Sequence, residues 1–175
     1  MKQSTKILII ALVLLVSIGC DQVSKQVAKT LLQYSPQVSM LDDFVRLQYA
    51  ENRGIMLSIG ASLSPGMRFW TFTVGVGLLL MGMLAYIIWN REIDRLQAIG
   101  WALIVSGGLG NLIDRAARNG VVIDFVSIGF RAIRTAVFNL ADVLVFVGVF
   151  LLLVHGKTKG KEPGGEESGT LPPVT

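Results

Sequence analysis

Four stretches of this chain are too apolar, for too long, to belong to an ordinary soluble domain. Residues 69–89 and 96–113 carry no charge at all, and residues 136–154 carry one, Asp142. A first run, residues 7–20, reaches spanning length only if it continues past Asp21 and Lys25 toward Leu32, with those side chains near the membrane interface. Spanning the hydrocarbon core takes roughly 20 residues of helix. The pattern predicts four transmembrane helices.

Between these runs the period changes. Phe44-Val-Arg-Leu-Gln-Tyr49 alternates as a short strand does, and residues 121–128 are rich in β-branched side chains. Both segments lie in the two long connections, residues 33–68 and 114–135, which fall on the same side of the membrane with Asp21 and Lys25. A small sheet at that surface follows if they pair. The connection at residues 90–95 is tight, making the second and third helices antiparallel neighbours. The expected fold is an all-α membrane protein of four transmembrane helices with a small extracytoplasmic β-sheet formed by the connecting loops. Residues 1–155 form its one domain. Residues 156–175, with glycines, prolines and three lysines but no apolar period, are expected to be a disordered tail.

Composition supports this picture. The chain is 52% hydrophobic and 16% charged, with mean hydropathy +0.60, outside the soluble-globular range. A net charge of +4 raises the question of nucleic acid, but the basic residues form no dense patch with interleaved aromatics. They sit at helix ends and in loops, where they meet phospholipid headgroups. Seven Lys/Arg fall on the side of the termini and nine on the other, so the positive-inside rule gives no orientation. The lone Cys20 makes no intramolecular disulfide, and no Cys/His cluster has metal-ligand spacing. The single histidine, His155, follows the last apolar run and reads as an interfacial anchor. Lys2 and Lys6 before an apolar run, with Val16-Ser-Ile-Gly-Cys20 following, also fit a signal peptide with a lipoprotein cleavage box, but three more spans favour an uncleaved helix.

The chemistry lies in the polar residues within apolar sequence. Asp124 in Gly120-Val-Val-Ile-Asp-Phe125 and Asp142 in Phe138-Asn-Leu-Ala-Asp-Val143 would lose several kcal/mol of hydration unless paired, hydrogen-bonded or protonated (roughly, per ion). Ionisable residues in such sequence are functional candidates. Two carboxylates close together share a proton, and one of them titrates well above the usual range. The ionised member can activate a water toward a peptide carbonyl while the protonated member donates to the carbonyl oxygen. No Ser-His-Asp or Cys-His set competes, and neither metal nor cofactor is required. Around this pair, Asp21 and Lys25 face each other at i,i+4 on a helix. Asn111 and Arg115 share a helical face in Ser106-Gly-Gly-Leu-Gly-Asn-Leu-Ile-Asp-Arg115, and Ala102, Ser106 and Gly110 make a small-residue stripe for close packing. Asn139 and Asp142 share a face at i,i+3, and Asn52-Arg-Gly54 reads as a turn.

Together, Asp21-Gln-Val-Ser-Lys25, Asn52-Arg-Gly54, Gly107-Gly-Leu-Gly-Asn-Leu-Ile-Asp-Arg115, Gly120-Val-Val-Ile-Asp-Phe125 and Phe138-Asn-Leu-Ala-Asp142 resemble lipoprotein signal peptidase (signal peptidase II), in the family's order over residues 21–142. The resemblance implies an intramembrane aspartic endopeptidase of the bacterial cytoplasmic membrane that cleaves prolipoproteins before a diacylglyceryl-modified cysteine. It implies Asp124 and Asp142 as the catalytic pair. It also implies a substrate site lined by Asn52, Gly54, Asn111, Arg115 and Asn139, with Asp21 and Lys25 supporting or contacting it. Both termini would be cytoplasmic, the site near the outer surface, and the working unit a monomer. Ser24 stands where the family usually has Thr, and Ile55-Met56-Leu57 replaces the family's Ala-Ala/Ser-Phe. Two other functions fit parts of the pattern: a small proton-coupled transporter relaying through the two aspartates, and a structural lipoprotein modified at Cys20. No internal repeat and no helix broken at mid-span by Gly or Pro favours the transporter.

Overall fold

A computed structural model describes residues 1–54, 60, 62–131 and 133–159. The sequence departure at residues 55–57 and the tail beyond Lys159 lie outside the described residues.

Helix α1, Gln3–Leu32, runs unbroken through Cys20, Asp21 and Lys25. Its length of 30 residues reflects the absence of any Pro and of any capping Gly before its end. A continuous helical segment, Pro65–Trp89, follows as α2; Ser64 caps it, accepting from the Met67 N–H. Its turns widen over Phe69–Gly75 into a π-helical stretch, a geometry that recurs at functional sites. Helix α3, Arg95–Ala117, starts at a full capping box between Asp94 and Gln97. Helix α4 spans Leu140–Lys159, four residues beyond the domain boundary expected at 155.

By length and hydropathy, α1, α2 and α3 can each cross a membrane, and α4 contains a shorter apolar stretch, Leu140–Gly156. Their outward faces carry Leu8, Leu12, Leu15, Leu78, Leu79 and Phe146, the apolar surface lipid requires. The small residues of α3 set how closely the helices approach. A Cβ on Gly107 would lie 2.3 Å from the Ala141 carbonyl oxygen, and one on Gly148 would lie 2.5 Å from the Gly100 carbonyl. Hydrogens in place of methyl groups let α3 and α4 meet nearly backbone to backbone.

The expected strands exist and pair. Strand β2, Val45–Asn52, and strand β3, Val122–Phe130, run antiparallel. They are flanked by two short strands absent from the sequence reading, β1 (Val38–Met40) and β4 (Ile133–Arg134), in the order β1-β2-β3-β4. Three and two residues are too few to show a period. A register irregularity between Leu47 and Ala50 sets Ala50 opposite Asp124 and Asn52 opposite Val122. Asn52 and Asp124 therefore project from one face of the sheet as diagonal neighbours.

The two ends of the bundle differ in chemistry. At the short-loop end, Ile10, Ile87, Ile93, Ala98, Ala102 and Val105 form a dry core. The buried Lys6 ammonium there caps the end of α2 by donating to the carbonyls of Ile88 (2.9 Å) and Asn90 (2.8 Å). His155 reaches Asp94 at 2.6 Å, so α1, the 90–94 turn and the end of α4 gather at this end. At the sheet end buried polar groups, Asp124, Asn139, Asp114 and Lys25 among them, sit beside the apolar Val122 and Ile123.

Candidate active site

Asn139 immediately precedes α4, and its side-chain oxygen accepts from the Asp142 N–H at 3.1 Å. Asp142 Oδ2 reciprocates, accepting from the Asn139 N–H at 3.1 Å. This is capping-box logic with Asp at the third helical position. Positions 139 and 142 thus face each other because the sequence starts a helix there.

Asn139 also reaches the second aspartate. Its Nδ2 donates to Asp124 Oδ1 at 2.6 Å, with Asn111 Oδ1 at 3.1 Å and the Ile123 carbonyl at 3.3 Å as further acceptors. Asn52 Nδ2 donates to Asp124 Oδ2 at 3.0 Å, and Asn111 Nδ2 donates to Asp142 Oδ1 at 3.0 Å. Each carboxylate therefore has both oxygens engaged by neutral donors. One residue, Asn139, touches both.

Asp124, on strand β3, is only 3% exposed. Burial pushes its carboxyl up to about 6, the Asn52 hydrogen bond works against this, and the neighbouring Asp142 charge adds to it. Desolvation is the largest cause, as for any carboxylate removed from water.

Beneath the pair lies a fully buried ion cluster. Lys25 spends its three donors on Asp21 Oδ2 (2.8 Å), Asp114 Oδ2 (3.1 Å) and Asn111 Oδ1 (2.9 Å). Asp21 Oδ1 accepts from the Ala141 N–H at 2.9 Å, and Asp114 also accepts from Arg118 and from the Ile123 N–H at 3.3 Å. The i,i+4 relation of Asp21 and Lys25 holds, and both side chains are 0% exposed. The cluster bonds to the first turn of α4 and to strand β3, the two elements that carry Asp142 and Asp124.

The Asn52–Gly54 turn forms as expected, with the Gly54 N–H donating to Asn52 Oδ1 at 2.9 Å. Arg115 is buried and donates from Nη2 to the Gly54 carbonyl at 2.9 Å, so its guanidinium is turned to the turn and away from bulk solvent. The structure thus gathers Asn52, Gly54, Asn111, Arg115, Asn139, Asp124 and Asp142 at the sheet end. Two further residues belong with them. Asp114 is completed by Lys25, and Gln22 Nε2 lies 3.1 Å from both the Gly110 carbonyl and Asp114 Oδ1. The signal for both was available, since a polar side chain inside an apolar run needs a partner.

The signal peptidase II family model matches residues 12–157. The chain belongs to the signal peptidase II family. It is 34% identical to a lipoprotein signal peptidase of Pelodictyon phaeoclathratiforme, over 86% of this chain and 90% of that one. A lipoprotein signal peptidase of Streptococcus pneumoniae is likewise 34% identical, over 83% and 90%. One from Leifsonia xyli subsp. xyli is 36% identical, over 94% and 77%. Among solved structures, one described as a bacterial membrane enzyme at 2.3 Å resolution aligns with TM-score 0.73 and 25% identity over 94% of each chain. Membership in a signal peptidase family, with several apolar helices, identifies a multi-pass membrane peptidase. It leaves the transporter reading without support.

Proposed function

We propose that this chain removes the signal peptide from prolipoproteins as an intramembrane aspartic endopeptidase, cutting before a diacylglyceryl-modified cysteine, with Asp124 and Asp142 as its catalytic pair. Prolipoprotein processing follows from the family. The catalytic type rests on one observation: Asn139 holds both aspartates, donating a side-chain N–H to Asp124 and its backbone N–H to Asp142.

Two carboxylates so placed share one proton. The ionised member takes a proton from a water as its oxygen attacks the scissile carbonyl carbon. The protonated member donates to the carbonyl oxygen, giving a neutral tetrahedral diol. Collapse then breaks the C–N bond as the leaving nitrogen receives a proton from the pair. A carboxyl lifted to about 6 is matched to exchanging protons near neutrality. The pair titrates jointly, so neither aspartate is given a fixed protonation state.

Asn52, Gly54, Asn111, Arg115 and Asn139 line the substrate site, and Asp21 and Lys25 hold it from beneath. All of these come from one chain, so a monomer suffices. In this reading α4 crosses the bilayer as the fourth span, and the sheet and aspartates lie near the extracytoplasmic surface. The 90–94 turn and both termini lie on the cytoplasmic side. The grouping of Lys6, Asn90, Asp94 and His155 at one end supports this arrangement.

The test is cleavage of a diacylglyceryl-modified prolipoprotein by the purified protein in detergent, wild type beside Asp124→Asn. Cleavage before the lipidated cysteine, lost in the variant, is expected. Undiminished cleavage by the variant would remove Asp124 from the mechanism.

A further inference from the structure

A cavity of about 250 Å3 opens beside the aspartate site, lined by Arg53, Arg68 and Arg115 together with Phe69, Phe72 and Asn119. Among the described residues three arginines line it, and no carboxylate does. Outside that lining, Glu51 lies 4.0 Å from the exposed Arg53. Arg115 is 8% exposed, and its Nε–H is buried without a hydrogen-bond partner among the described residues. That buried Nε–H does not open into the cavity, so an acceptor there meets Arg115 through its Nη groups, beside the more exposed Arg53 and Arg68.

The depth of the cavity narrows the acceptor. Its wall is the first part of α2, where Phe69 and Trp70 are exposed at the start of a spanning-length helix, the position of an interfacial aromatic belt. The cavity therefore stands at headgroup level. Its lining combines cationic and aromatic side chains, as suits a phosphodiester carrying an apolar glyceride.

We propose that this cavity binds the phosphodiester headgroup of an anionic membrane phospholipid. Arginine matches phosphate oxygens through paired N–H donors. Occupancy would reach the aspartates through bonds already described. Arg115 holds the Gly54 carbonyl, the Gly54 N–H holds Asn52, and Asn52 holds Asp124. Coupling to cleavage rests on the peptidase reading; binding does not.

The experiment uses the full chain in nanodiscs of phosphatidylcholine with graded phosphatidylglycerol. Retained lipid is counted by native mass spectrometry after release. Wild type should keep phosphatidylglycerol selectively, and Arg53→Gln/Arg68→Gln should weaken retention on the order of tenfold. Arg91→Gln/Arg95→Gln, an equal loss of charge at the other end, should not. Equal loss in both double variants would show nonspecific attraction and overturn the proposal. Displacement of the lipid by millimolar inorganic phosphate would also overturn it, in favour of a free-anion site. Circular dichroism and Tm of each variant establish folding, and the single Arg68→Gln keeps the test open if the double variant does not fold. Because the readout is bound lipid, its failure is distinguishable from failure of the peptidase reading, which cleavage alone decides.

Discussion

Lys25 Nζ lies 2.9 Å from Asn111 Oδ1, and this contact decides which way the Asn111 amide faces. An ammonium has only donors, so the amide must present oxygen to it and nitrogen to Asp142. A charge buried on α1 thereby sets a donor to a carboxylate on α4 that it does not touch.

Replacing Lys25 with Met should therefore do two things. It leaves Asp21 and Asp114 buried and short of their cation, which costs about 3–5 kcal/mol. It also frees Asn111 to rotate. Tm in detergent should fall sharply, with cleavage lost. Arginine should not rescue it, because three acceptors converge on a single nitrogen. A Lys25→Met protein of wild-type Tm would show that the cluster does not hold the site.

Asp124→Asn and Asp142→Asn should each lower kcat by at least about 100-fold, the scale of lost acid–base catalysis, while Tm stays near or above wild type. Chelators should leave wild-type cleavage unchanged; among the described residues no group of three His, Cys, Asp or Glu side chains is placed to hold a metal. Zinc-reversible inhibition by EDTA would count against the mechanism.

The pH dependence carries a sign. Asp124 is held above its ordinary value, to about 6, so folding favours its protonated form. Stability should fall as pH rises from about 4 through about 6 and then level off. Asp142→Asn removes a neighbouring negative charge and should lower the Asp124 titration. Asn52→Ala removes a hydrogen bond to the ionised form and should raise it. Carboxyl NMR or infrared titration of the two variants should show these opposite shifts, and shifts in the same direction would refute the assignment of causes.

Gly107→Ala should be more harmful than Gly19→Ala. A methyl at 107 would stand 2.3 Å from the Ala141 carbonyl oxygen, whereas nothing lies within 4 Å of one at 19. Relief requires moving the first turn of α4, which carries Asp142. Both Tm and kcat should drop at 107, and neither at 19.

Much of the fold was legible because the bilayer imposes length and hydropathy on any spanning helix. The apolar runs placed the cores of α1 to α4 within a few residues. The ends were less legible, since Arg95, Arg115 and Lys6 lie within helices through caps and buried contacts that hydropathy does not register. Strands β2 and β3 showed their period, and β1 and β4 were too short to show one. The helical spacings of Asp21 with Lys25 and of Asn139 with Asp142 correctly brought each pair together.

The sequence by itself determined which groups had to find partners. Aspartate, asparagine and lysine in apolar runs are tolerable only when satisfied, so their presence announced a polar site within a membrane protein. Which partner each one found was decided by tertiary structure. Glycines on α3 let α4 close in, the register of β2 against β3 set Asn52 beside Asp124, and the convergence of α1 with α3 buried Lys25 under Asn111. The physical reason is that local spacing fixes which residues share a face, whereas only packing between elements fixes which faces meet and what water is excluded from them.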